Sequence, residues 1–131
     1  LHDIGKIGIP DRLLIKEGIF SPAERKEMEL HTLYGAEMLS TGSSHLMKTA
    51  QQIAKSHHER WDGSGYPEKL KEEGIPLSAR IVAVADVYDA LTSARPYKSA
   101  WTPQDALAEI QKQSGSHFDP EIVEVFTKLM S

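Results

Sequence analysis

Apolar residues recur along the chain at helical rather than alternating spacing, and the glycines and prolines fall between these periodic segments as punctuation. Ser21-Pro22-Ala23-Glu24 has the form of a capping box with proline in the first turn. It predicts a helix to about Leu39, which Gly42 closes. A second helix is expected from about Ser44 to the pair His57-His58, with Leu46, Ala50, Ile53 and Ala54 sharing one face. The stretch from Trp61 to Pro67 is turn-forming, and Gly74-Ile75-Pro76 ends the loop after it. Ser78 is the expected cap of a third helix, whose run from Ile81 to Leu91 is apolar except at Asp86, Tyr88 and Asp89 and is therefore expected to be central. The β-branched residues in that run favour a strand, but its length and its helical neighbours favour a helix. Thr102-Pro103-Gln104-Asp105 starts another helix, Gly115 breaks it, and Asp119-Pro120 opens the last one toward Met130. The expected class is all-α.

Composition narrows the chemistry. The 131 residues suffice for one domain with its own core, and the absence of cysteine removes both disulfides and thiolate metal sites. A transition metal would have to be held by nitrogen and oxygen donors. With 15 basic and 19 acidic side chains the net charge is -4, so no duplex nucleic acid partner is expected, although a local basic cluster could still hold one small phosphorylated ligand. With no leader-like segment and no long apolar run, the chain is expected to be cytoplasmic and to make no membrane contact.

Against this background a few side chains stand out. Asp86 is a carboxylate within an apolar helix, which is unfavourable unless a cation or hydrogen-bond donors compensate for it. Arg80 is the structural partner available nearby, and a metal is the functional one. Asp89, three residues on, could orient others or cap a neighbouring segment. Adjacent helical residues point about 100° apart, so His57 and His58 would serve two neighbouring ions if they stand at a helix end. Two ions need a bridging carboxylate, and Asp3 beside His2 is the natural candidate. Four imidazoles (His2, His31, His57 and His58) and two carboxylates (Asp3 and Asp86) suit iron, manganese or zinc. Lys6 could meet a phosphate oxygen as a point charge. Gly35, one turn after His31, either leaves room for a ligand or lets two helices pack closely.

In order along the chain come His2-Asp3-Ile4-Gly5-Lys6, His31-Thr32 with Gly35-Ala36, the segment from His57-His58-Glu59 to Gly65-Tyr66-Pro67, Ala85-Asp86-Val87-Tyr88-Asp89, and Arg95-Pro96-Tyr97-Lys98. Together they resemble the HD-GYP domain of the HD superfamily, and the resemblance covers essentially the whole chain. It implies a helical HD bundle in which His2, Asp3, His31, His57, His58 and Asp86 are metal ligands, with Asp3 bridging. Asp3 and Lys6 would be the catalytic pair. Lys6, Arg95 and Lys98 would meet the substrate phosphates, and Gly63, Gly65, Tyr66 and Pro67 would form the motif loop. The family also uses an earlier helix bearing a further histidine and often a glutamate. The resemblance therefore makes residues 1–131 one HD-GYP domain lacking its first helix or helices, with a metal cluster and activity impaired by that lack.

The activity so implied is metal-dependent hydrolysis of cyclic di-GMP to linear pGpG and on to GMP, with two or three divalent ions, iron or manganese. Candidate partners are cyclic di-GMP, a diguanylate cyclase-type or receiver domain, and a second copy of the chain. Two other readings compete. One is an HD-type phosphohydrolase of another nucleotide, because a metal core alone does not select a base. The other is a regulatory module that binds ligand or partner without turnover.

Overall fold

The computed structural model describes residues 2–16, 18–94 and 98–130, and Arg95, named above for phosphate binding, lies outside them. The described chain is helical and carries no named strand, as the periodicity predicted. A 3-10 turn, Ile4–Gly8, leads into helices α1 (Asp11–Leu14), α2 (Pro22–Glu29), α3 (His31–Leu39), α4 (His45–Ser56), α5 (Leu77–Thr92), α6 (Pro103–Lys112) and α7 (Pro120–Met130). None of them is long and apolar enough to cross a membrane.

The local signals for helix starts mostly hold. Ser21 accepts from the Glu24 amide at 3.1 Å while the Glu24 carboxylate accepts from the Ser21 amide at 2.9 Å, which closes the capping box. Ser44 caps α4 through the Met47 amide, and Thr102 caps α6 through the Asp105 amide. Ser78 does not cap α5. The helix begins at Leu77 behind Pro76, which leaves the Ser78 hydroxyl inside the first turn, buried and without a hydrogen-bond partner among the described residues.

The helix expected from Ser21 to about Leu39 is two helices, broken at Leu30. Side chains supply the reason. His31 donates from Nδ1 to the Met28 carbonyl at 2.9 Å, and Thr32 donates from its hydroxyl to the Glu29 carbonyl at 3.0 Å. Those two carbonyls are thereby satisfied from the side, and the chain turns there.

The main core joins α5, α6 and α7 through Ala83, Val84, Ile110, Phe118 and Val123, with Tyr88 meeting Phe126 edge-on. The α5 run is less central than its apolar sequence suggested. Ala79, Ala83 and Val84 are buried, Ile81 is exposed, and the Asp86 side chain keeps 34% of its surface in solvent. Leu46, expected on the inner face of α4, is 75% exposed, whereas Ala54 on the same helix is fully buried. Arg80 pairs not with Asp86 but with Asp119 at 2.7 Å, and it also donates to the Ile75 carbonyl. This pins the start of α5 to the start of α7.

At the other end, α3 packs against both the 3-10 turn and α4. The approach is very close at Gly5, where a Cβ would lie 1.7 Å from the His31 carbonyl oxygen and 2.4 Å from the Gly35 nitrogen. Gly35 in turn faces Gly5 and Ala54, so its missing side chain serves close packing. The turn bearing His2 and Asp3 is thus pressed directly onto the helix bearing His31.

Candidate metal centre

Six sequence positions named as ligands come from four separate elements and meet at one place. His2 and Asp3 precede the 3-10 turn, His31 opens α3, His57 and His58 follow α4, and Asp86 stands on α5. Asp3 is the hub. Its Oδ1 lies 3.5 Å from His31 Nε2 and 3.3 Å from His57 Nε2, and its Oδ2 lies 3.2 Å from His2 Nε2 and 3.7 Å from Lys6 Nζ. Asp86 joins through its Oδ1, 3.3 Å from His2 Nε2. Asp3, His31, His57 and His58 each offer a ligand atom within 4.8 Å of the others.

His57 is the C-cap of α4, where the chain leaves the helix. There the rings of His57 and His58 lie 4.1 Å apart and turn into one group of donors rather than diverging. The His58 ring also stands edge-on to His31 at 5.0 Å and stacks on Tyr66 at 5.0 Å.

The donor chemistry fits a cation. His57 Nδ1 faces the Ile53 and Ala54 carbonyls at 2.9 and 3.1 Å, just as His31 Nδ1 faces Met28. A carbonyl can only accept, so each Nδ1 carries a proton and each Nε2 is left to the cluster, donating to Asp3 when protonated and offering its lone pair to a cation when not. Those two Nε2 atoms are 3.4 Å apart in a buried setting. His2 Nε2 is likewise buried and, although Asp3 and Asp86 oxygens lie 3.2 and 3.3 Å away, makes no well-aligned hydrogen bond among the described residues. Converging lone pairs with a carboxylate among them are what a divalent ion satisfies. The imidazoles of His31 and His57, followed by Lys6 and His2, hold the Asp3 carboxyl far below the usual carboxylate range. Burial, and next the neighbouring His57 and His31, press His58 down to about 3, so its ring is neutral at pH 7.

Lys6, named for a phosphate oxygen, stands with its ammonium at the edge of the cluster, 3.7 Å from Asp3 Oδ2. Lys98 does not reach it. Its ammonium lies 3.2 to 3.4 Å from the carbonyls of Leu91, Ser93 and Ser99, at the C-terminal end of α5. Asp89 accepts from the Ser93 hydroxyl at 3.4 Å and stays on its own helix.

The Gly-Tyr-Pro segment lies against the histidine pair. A Cβ on Gly65 would sit 2.4 Å from the His58 carbonyl oxygen and 2.5 Å from the Arg60 nitrogen, so only glycine lets the loop fold back this tightly. Gly63 has φ +84° and Tyr66-Pro67 is cis. Sequence reasoning passed over the residue that holds this loop. Glu59 is 2% exposed, and its two carboxylate oxygens accept from the backbone amides of Glu68 at 2.8 Å and Leu70 at 2.9 Å. A carboxylate next to two site histidines was the available signal. Beyond His58 and Tyr66 opens a cavity of about 370 Å³, lined also by Arg25, Glu29, Arg60, Ser64, Gly65 and His117. A shallower hollow of about 580 Å³ around Trp101 and Lys112 shares no residue with the cluster.

Comparison with known proteins gives the family of the fold. The model of the HD domain family matches residues 1–122. A cyclic di-GMP phosphodiesterase of Thermotoga maritima is 54% identical over 98% of this chain and 35% of its own length. A cyclic di-GMP phosphodiesterase response regulator of Xanthomonas campestris is 52% identical over 98% of this chain and 34% of its own. A 3'3'-cGAMP-specific phosphodiesterase of Vibrio cholerae is 47% identical over 95% and 24%. The chain therefore spans about a third or less of the length of these relatives. Among solved structures, a cyclic GMP-AMP specific phosphodiesterase of V. cholerae superposes with a TM-score of 0.57 at 27% identity, over 95% of this chain and 32% of that one. With an all-α fold, a histidine–aspartate cluster and these relatives, the chain belongs to the HD domain family, as an HD domain of the HD-GYP type.

Proposed function

We propose that this domain hydrolyses a phosphodiester bond of a cyclic dinucleotide, cyclic di-GMP before others, giving linear pGpG and then GMP. The observation that carries the reading is the convergence of Asp3, His31, His57 and His58 on one point, with Lys6 beside it and His2 and Asp86 adjoining. The relatives named as cyclic di-GMP phosphodiesterases support the substrate. His2, Asp3, His31, His57, His58 and Asp86 would hold two or three divalent ions, iron or manganese, and Asp3 has an oxygen toward each side of the group. Bound there, such ions lower the pKa of water and offset charge on phosphate oxygens.

The chain's own residues do the rest. The carbonyl partners of His31 and His57 fix the tautomer of each ring, so no rearrangement is needed when a ligand arrives. Lys6 contributes a fixed positive charge at the edge of the cluster, where it favours a phosphate oxygen as negative charge grows. Arg95 and Lys98 remain candidates for the second phosphate. From its present position Lys98 would have to leave the α5 carbonyls to serve there.

The 3'3'-cGAMP-specific relative gives a second reading within the same chemistry. Metal-loaded chain, prepared anaerobically with iron or manganese, should be offered cyclic di-GMP and 3'3'-cGAMP, with products resolved by chromatography. Release of pGpG from cyclic di-GMP at the higher kcat/KM is the expected outcome. Faster turnover of 3'3'-cGAMP would favour the second reading, and tight binding with no product would make the domain a ligand-binding module.

A further inference from the structure

The four described arginines divide into two kinds. Arg12 and Arg80 are paired, with Glu27 and Asp119 respectively. Arg25 and Arg60 form no ion pair or side-chain hydrogen bond with any described residue, and both line the 370 Å³ cavity beside His58. Arg60 Nε is buried without a partner among the described residues. Glu29, one helical turn after Arg25 on α2, lines the same cavity, and its carboxylate is also free of ion pairs among the described residues. Two guanidinium groups and a carboxylate thus share a hollow without neutralising one another. Burying a donor with no acceptor is unfavourable, so such a set is best explained by a ligand that completes it.

The ligand must offer acceptors to the arginines and donors to the glutamate. A guanine base does both on adjoining edges. O6 and N7 accept from a guanidinium fork, and N1–H with the N2 amino group donates to a carboxylate. Adenine presents an amino group where guanine has O6, which would set donor against donor at the arginines. It also presents a bare N1 to the carboxylate. The Tyr66 ring lines the cavity as well and gives a base a face to stack on. His58 both lines the cavity and belongs to the metal group, so a nucleotide whose phosphate lay at Asp3 would have its base within reach of the cavity.

We propose that this cavity is the recognition site for one guanine of the substrate, with Arg60 and Arg25 donating to O6 and N7 and Glu29 accepting from N1 and N2. This rests on the reading of the substrate as cyclic di-GMP. It adds the residues that select the base.

The test is a calorimetric titration of manganese-loaded chain with cyclic di-GMP and, separately, with cyclic di-AMP, in the wild type and in Arg60→Ala, Arg25→Ala and Glu29→Gln. The wild type should bind cyclic di-GMP at least about 10-fold more tightly than cyclic di-AMP. Each variant should weaken cyclic di-GMP binding by about 10-fold while cyclic di-AMP binding and manganese content stay as they were, so that the preference collapses. Arg25 and Glu29 lie on the outer helix α2, and their variants decide the matter if Arg60→Ala fails to fold. Retention of the full preference by Arg25→Ala and Glu29→Gln would overturn the proposal while wild-type binding of cyclic di-GMP left the reading of the substrate intact. Failure of the wild type to bind any cyclic dinucleotide would overturn that reading, and the base site with it.

Discussion

Asp3 offers its two oxygens to different neighbours, one to His31 and His57 and the other to His2 and Lys6, whereas Asp89 meets only the Ser93 hydroxyl of its own helix. Removing a carboxylate from the middle of the donor group should release metal, while removing one from its periphery should not. Asp3→Ala is therefore expected to lose most of its iron or manganese on dialysis and Asp89→Ala to keep it, as read by elemental analysis. Equal losses would end the case for Asp3 as the bridging ligand. Glu59 is a different kind of residue, a buried carboxylate whose partners are all backbone amides. An amide side chain can accept through only one of its two terminal atoms, so Glu59→Gln turns an N–H against an N–H. The expected loss is about 1–3 kcal/mol in urea unfolding. Its neighbour Glu68, paired with Lys55 at the surface, should lose no more than about 1 kcal/mol on truncation to alanine. A Glu59→Gln variant as stable as Glu68→Ala would show that the loop does not depend on the clamp.

At the scale of elements, the close seat of the 3-10 turn on α3 makes a sharper demand than any helix cap. A methyl group at Gly5 would strike the backbone of His31 and Gly35, neither of which can move without shifting α3. Gly5→Ala should lower stability by about 1–3 kcal/mol or more and weaken metal retention in the same variant, since it pushes Asp3 away from His31. Gly74→Ala, which meets nothing within 4 Å, is the matched control. Full metal occupancy in Gly5→Ala, measured alongside its thermal midpoint, would mean that the turn can be displaced without opening the cluster. What could be read from the sequence follows the same division between local and distant contacts. The caps at Ser21, Ser44 and Thr102 are decided within four residues and were legible, and so was the gathering of His2, Asp3, His31, His57, His58 and Asp86 once the motif pattern was followed. The break at Leu30 depends on His31 and Thr32 bonding backward, a competition that periodicity does not register. The choice of Asp119 over Asp86 by Arg80 is made across 39 residues, and the exposure of Leu46 depends on which face of α4 meets α3.

For the molecule as a whole, titration in acid links the site to stability. His117 lies by Arg60 and the loop, with its ring stacked on Phe118, and burial holds it down to about 4 from an ordinary 6.5. A histidine whose folded pKa lies below its unfolded value is neutral in the native state where the unfolded chain already binds a proton. The stability it contributes is present above about pH 6.5 and is lost as the pH falls toward about 4. Asp3 acts in a lower window and for the opposite reason of charge. Its carboxylate is favoured in the fold, so its contribution is present above the unfolded value of 3.8 and disappears below it. Two acid limbs are therefore expected in the stability of metal-free chain, one from pH 6.5 downward and one below 3.8. His58, pressed down to about 3, shares the first limb, so replacing His117 should reduce that limb without abolishing it. His117→Asn should unfold in urea with a pH slope between pH 6.5 and 4 shallower by up to one proton, about 1.4 kcal/mol per pH unit, while its slope below 3.8 stays that of the wild type. If the two proteins gave parallel curves through the upper window, His117 would have to be charged in the fold, and the buried neutral ring against Phe118 would be the wrong description of this face of the molecule.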